Sequence, residues 1–236
     1  MKRIALLTAG GDTPALNATI HGAVERANAL RVEVFGLIGG FSSLLQARVP
    51  HVHLNPLLAT IPELDPSYGG TILGSSREYL HPDDTQQLDA IAQRLQRLQI
   101  EGLICVGGDG TFNGLQPLCE RIPTVLAPKT IDNDLGLNHP SEADYFLPAA
   151  PGPAPVSGSR RVLDPTPFDP VQMVNYVTPG YATAVYVATT GVERIRTTAE
   201  SHRRIAIVEV MGRCSGYIAL GASYGQPDLV LVPESP

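Results

Sequence analysis

Leu103-Ile104-Cys105-Val106-Gly107-Gly108-Asp109-Gly110-Thr111 decides the fold. Four consecutive apolar residues with no polar alternation describe a strand covered on both faces, as in a parallel sheet between helix layers. The glycines that follow let the backbone come close to phosphate oxygens, and Asp109 supplies a hard oxygen donor of the kind Mg²⁺ takes. The chain opens with the same device: an apolar strand over residues 3–8, then Gly10-Gly11-Asp12, then a helical pattern over 14–29. There Thr13 is placed to cap, Pro14 suits a first turn, and Leu16, Ile20, Val24 and Ala27 share one face. Further outward, residues 31–38 read as a strand. Asp83 and Asp84 open a helix with Leu88, Ile91, Leu95 and Leu98 on its apolar stripe, and Thr124-Val125-Leu126-Ala127 reads as another buried strand. Strands alternating with helices predict an α/β fold with a doubly wound, mostly parallel sheet.

Beyond residue 137 the composition changes. Nine of the 21 prolines fall between Pro140 and Pro179, centred on Pro151-Gly152-Pro153-Ala154-Pro155, which predicts a loop or linker. Regular patterning resumes with a helix over 182–199, a strand over 204–210, a helix over 215–224 and a strand over 229–232. The expected organisation is a first α/β domain over 1–137, a proline-rich insertion over 138–178, and part of a second domain over 179–236.

The formal net charge of −6 disfavours nucleic acid and anionic membranes as partners. No apolar stretch is long enough to span a bilayer. Three cysteines in or near apolar runs, Cys105, Cys119 and Cys214, suit reduced thiols in the cytoplasm. His51 and His53 share a face if extended, a pairing more common on plain surface than at a metal.

In open parallel sheets ligands lie at the carboxyl ends of the strands. Besides the two glycine turns, a third such loop is Pro128-Lys129-Thr130-Ile131-Asp132-Asn133-Asp134, which carries one of the only two lysines in the chain. A fourth, Gly70 through Arg77, ends in a guanidinium suited to phosphate, as does Met211-Gly212-Arg213 after an apolar run. The next glycine after Gly108 and Gly110 is Gly114, one place too late for a dinucleotide fingerprint, and there is no P-loop lysine motif.

GGDTPALNA at residues 10–18, GGTILGSSR at 69–77, GGDGT at 107–111, PKTIDND at 128–134, VEVMGR at 208–213 and VPE at 232–234 together resemble, in order, the motifs of the 6-phosphofructokinases. The resemblance implies Mg²⁺-dependent phosphoryl transfer to the 1-hydroxyl of fructose 6-phosphate, on a scaffold whose second domain binds the sugar. By that likeness Asp132 is the general base, Thr130 and Gly11 contact the transferring phosphoryl group, and Arg213 neutralises its charge. Asp109 holds the metal. Phe41, Arg77, Gly108, Gly110, Thr111 and Lys129 belong to the donor-phosphate side. Asp134, Met211, Gly212 and Glu234 belong to the sugar side, and Arg204 reaches the sugar phosphate of a neighbouring subunit in a homo-oligomer. Gly110 reads as ATP and Lys129 as pyrophosphate; the steric weight of the glycine favours ATP.

Several positions depart from the family pattern. Ala15 stands where glycine is usual, and Gly180-Tyr181-Ala182-Thr183-Ala184 lacks a carboxylate. His21 and Glu25 replace two effector-binding arginines, so effector control by phosphoenolpyruvate or nucleoside diphosphate is not expected. Family sequences continue past the position of Glu234 through a His and Arg pair that holds the sugar phosphate. The chain is therefore expected to be a fragment, to be completed by another chain, or to be a catalytically impaired phosphate-binding subunit.

Overall fold

Residues 2–134, 146–147, 160–161, 177–213 and 215–233 are described by a computed structural model of the chain. Strand β1 (Arg3–Thr8) is hydrogen-bonded in parallel to β2 (Glu33–Leu37) on one side and to β4 (Gly102–Gly107) on the other; β5 (Thr124–Pro128) continues the sheet beyond β4. The short β3 (His51–His53) adds antiparallel to β2, giving the order β3-β2-β1-β4-β5. This is the expected doubly wound α/β sheet with one unforeseen edge strand.

Side-chain alternation along β1 divides the core. Ala5 and Leu7 face α2 (Thr85–Arg97) and α3 (Asp109–Cys119), joining Leu88, Ile91, Leu95, Leu115 and Leu118. Leu6 faces the opposite way onto α1 (Leu16–Leu30), joining Leu16, Ile20 and Val24. Asp84 caps α2 by accepting the Gln87 N–H at 3.0 Å. Thr13 Oγ1 accepts the Ala15 N–H at 3.2 Å one turn ahead of α1. Ala15 itself has φ −89° and ψ −8°, an ordinary conformation for any L-residue, so the missing glycine introduces no strain.

Cys105 is buried and Cys119 half-buried, and burial pushes the Cys105 thiol above its usual range. His53 stacks on Phe35 at 4.7 Å and His51 meets the same ring edge-on at 5.4 Å. Both imidazoles are thus engaged with an aromatic ring, and no group of three His, Cys, Asp or Glu converges among the described residues. No helix of the described residues is long and apolar enough to cross a membrane.

The part after residue 176 differs from the expectation. Helix α4 (Tyr181–His202) runs longer than predicted, and α5 (Tyr217–Gly221) is short, passing into a 3₁₀ turn at Ala222–Gly225. The strands expected over 204–210 and 229–232 do not form: these residues belong to no ladder, and Ile207 is 92% exposed. A strand exists only through its neighbours' hydrogen bonds, and neither segment pairs with another strand among the described residues. Within the proline-rich stretch, Phe146–Leu147 (β6) pairs antiparallel with Arg160–Arg161 (β7), a short ladder that composition did not foretell. Most of that predicted insertion lies outside the described residues.

Candidate active site

The chain leaves β1 through α1 to β2 on one side, then returns to place β4 on the other side of β1. At such a switch point the loops after the two adjacent strands diverge and leave a crevice at their carboxyl ends. Gly10-Gly11-Asp12 follows β1, Gly108 follows β4, and the Lys129–Asp132 stretch follows β5, so three of the sequence motifs meet there.

Gly10 is where they touch. Its φ is +81°, and a Cβ on it would lie 3.3 Å from Thr111 Oγ1 and 3.4 Å from Lys129 Nζ. Glycine thus serves both the left-handed turn and the close approach. The Gly70–Arg77 loop is fastened against β1. Thr8 donates its hydroxyl to Gly74 O at 2.7 Å, Gly10 N–H donates to Ser76 O at 3.2 Å, and Ser75 Oγ donates to Gly10 O at 2.8 Å. These bonds set the Arg77 guanidinium near Gly11.

Lys129 is 2% exposed and its Nζ donates to the Gly11 carbonyl. Burial pushes its ammonium below the usual lysine range; Asp12 and Asp132 act against that and Arg77 adds to it. Asp132 is half-buried. Burial raises its carboxyl above the usual range, while Arg213 and Lys129 pull it down. A carboxylate held above its solution pKa is a better proton acceptor than a free one.

The loop bearing Asp132 is held from the other part of the chain. Asp132 N–H donates to Thr130 Oγ1 at 3.1 Å, Ser215 Oγ donates to Asp132 O at 2.9 Å, and Thr178 Oγ1 donates to Thr130 O at 2.8 Å. Thr178 N–H also donates to Asn133 Oδ1 at 2.8 Å, and Thr130 bridges Gly180. Ser215 and Thr178 are buried positioning residues that sequence reading missed, because their role is a bond to backbone far away in the chain. Asp12, which faces Lys129, was legible only as part of its glycine turn.

Beside this loop lies a cavity of about 520 Å³ whose wall includes Asp12, Ile131, Val187, Met211 and Ile218. The structure therefore brings together Gly11, Arg77, Gly108, Thr111, Lys129, Thr130, Asp132 and Arg213, with Met211 on the adjoining cavity wall. Gly212 is buried in the turn that precedes Ser215, whose N–H donates to Gly212 O at 2.8 Å. Asp134 is half-buried two residues beyond Asp132. Asp109 opens α3, and Gly110 is exposed with nothing within 4 Å of where a Cβ would stand.

One expected residue is not brought there. Phe41 is fully buried in the core that faces α2 and α3, and so presents no ring to a nucleotide. The cause is local. Gly39 and Gly40, at φ +85° and +61°, turn the chain into a 3₁₀ helix (Gly40–Leu45) that carries Phe41 inward, and a Cβ on Gly40 would fall 2.2 Å from Thr8 O. Arg204 stands exposed after α4, and its guanidinium makes no hydrogen bond or ion pair among the described residues. Glu234 lies outside the described residues.

A family model described as Phosphofructokinase matches residues 3–141 and 172–236. The ATP-dependent 6-phosphofructokinase 1 of Thermus thermophilus is 36% identical over an alignment that takes in 100% of this chain and 61% of that protein. The ATP-dependent 6-phosphofructokinase of Brevibacillus brevis is 33% identical, again over 100% of this chain and 61% of the relative. Among solved structures, the pyrophosphate-dependent phosphofructokinase of Marinobacter aquaeolei superimposes with a TM-score of 0.70 at 18% identity, over 100% of this chain and 54% of its own, which shows a shared fold. The chain thus spans about three fifths of the length of these curated relatives.

Proposed function

The chain belongs to the phosphofructokinase family, and on that premise we propose that it serves transfer of the terminal phosphoryl group of ATP to the 1-hydroxyl of fructose 6-phosphate. The observation that carries the reading is Asp132: a half-buried carboxyl of raised pKa, coupled to Arg213 and Lys129, at the crevice where the loops after β1, β4 and β5 meet. In the proposed step Asp132 takes the proton from the sugar 1-hydroxyl as that oxygen bonds to phosphorus. The bond from phosphorus to the bridging oxygen breaks, and ADP leaves. Gly11 and Thr130 position the phosphoryl group and Arg213 neutralises charge on it, so positioning and electrostatics do most of the catalysis.

The donors fit magnesium by their chemistry. Asp109 at the start of α3 offers hard oxygen, the ligand type that Mg²⁺ takes while completing its shell with phosphate and water. Asp109 would hold it, and Mg²⁺ would supply charge neutralisation on the phosphates. Arg204, exposed and unpaired, is proposed to serve a neighbouring copy's sugar phosphate in a homo-oligomer.

For the donor, the open space at Gly110 supports ATP, and so do the names of the relatives. Lys129, the feature that favoured pyrophosphate, is buried and spends Nζ on the Gly11 carbonyl, which weakens its case as a donor contact. A coupled assay offering ATP and pyrophosphate in parallel with fructose 6-phosphate decides it. Turnover with ATP alone is expected, and turnover with pyrophosphate alone would reverse the donor assignment.

A second reading rests on the exposed apolar residues of 204–210 and 229–232 and on the share of relatives' length that the chain spans. By it, the chain binds phosphates but needs further sequence to turn over. Binding of ATP without turnover in the same assay favours that reading.

A further inference from the structure

A second cleft, of about 540 Å³, lies between the residues leading into β3 and the last turn of α2. Its wall includes Arg48 and His51 from the first element and Arg94, Arg97 and Leu98 from the second, and no carboxylate lines it. That is unusual in a chain with 23 acidic residues against 17 basic ones. It shares no residue with the cavity beside Asp132. The guanidinium groups of Arg48 and Arg97 make no hydrogen bond or ion pair among the described residues and both residues are exposed, while Arg94 spends one N–H on Leu44 O at 2.9 Å. His51 Nδ1 donates to Val49 O at 2.7 Å, which fixes the ring at the rim.

Two arginines in a last helical turn suit the negative end of the helix dipole, which accounts for Arg94 and Arg97. It does not account for Arg48 and His51, which come from a different element and face the same space. Three guanidinium groups around one concavity of this volume present more positive charge than a single phosphate monoester neutralises, and each can grip phosphate oxygens in a two-pronged fashion. We propose that this cleft is a binding site for a polyphosphate anion, either the tail of a nucleoside polyphosphate or free inorganic polyphosphate, separate from the crevice. It is also separate from α1, where Glu25 accepts the Thr60 hydroxyl and opposes an anion.

Isothermal titration calorimetry of the full chain tests it, with inorganic tripolyphosphate and ATP as probes, in an Arg77→Gln background that weakens anion binding at the crevice. Arg48→Gln/Arg97→Gln is expected to weaken tripolyphosphate binding by on the order of tenfold or more. The unfolding temperature without ligand should stay the same, since both side chains are exposed and unbonded. Equal weakening for ATP assigns the recognised group to the nucleotide's tail, whereas ATP binding that ignores the double change assigns the cleft to the inorganic anion. Unchanged tripolyphosphate affinity in the double variant, or no tripolyphosphate binding in the Arg77→Gln background, overturns the proposal. Neither result bears on Asp132, so the outcome is independent of the proposed catalysis.

Discussion

Strand β4 and residues 204–210 each contain a run of four apolar residues, and the two runs have opposite fates. Leu103-Ile104-Cys105-Val106 is hydrogen-bonded to β1 on one side and β5 on the other, and Cys105 is fully buried. Ile205-Ala206-Ile207-Val208 joins no ladder and faces solvent. The helices repeat the contrast: α1 buries five side chains, whereas α4, seven residues longer, buries Val192 alone. An apolar run states that a segment can be buried; whether it is depends on strands to either side and helices above and below. The crevice therefore rests on unequal supports. Its donor side stands on a packed sheet, and its sugar side, with Met211 and Arg213, is tied on through the bonds of Ser215 and Thr178 to the Asp132 loop.

The contrast can be broken most forcefully in the sheet. Leu103→Ala should cost about 2–5 kcal/mol in chemical unfolding, because the vacated space is enclosed. A cost under about 0.5 kcal/mol would mean that the sheet is not the stable half. Next in size, Lys129→Met removes the bond that holds the Gly11 carbonyl and should weaken ATP binding about tenfold, read by calorimetry. An unchanged affinity would detach Lys129 from the donor side.

Smaller still is a shift in pH dependence. Activity should fall as the pH drops through the pKa of Asp132, at a point above the ordinary carboxylate value of 3.8, since the base must be ionised and burial raises it. Arg213→Gln removes a charge that holds this pKa down, so the acid limb of the remaining activity should move to higher pH. A move to lower pH contradicts the coupling. Ile207→Ala should have the least effect, within about 0.5 kcal/mol, because its side chain already meets water. A loss comparable to that of Leu103→Ala would show that residues 204–210 are covered in solution.

Much of the first half was legible because most local signals agreed with the packing that followed; residues 124–127, read as a buried strand, instead form an outer strand on which Val125 is 63% exposed. The β1 span, the Asp84 cap and the buried stripe of α2 came from periodicity and capping alone. Strand β3 escaped because His-Val-His is too short for its alternation to mark a strand, and it becomes one only by pairing with residues 35–37 of β2. Phe41 misled because a motif position says which residue stands there but not which way two positive-φ glycines turn it. In the site, Gly11, Thr130, Asp132 and Arg213 were readable as types of chemistry. Ser215 and Thr178 were not, since they act by holding backbone atoms 83 and 48 residues away.

The central claim is that Asp132 accepts the sugar hydroxyl proton during phosphoryl transfer, and Asp132→Ser addresses it when turnover and ATP binding are measured on the same preparation. Turnover should fall by roughly 10²–10⁴-fold while ATP binding persists. An unchanged rate would contradict the assignment outright.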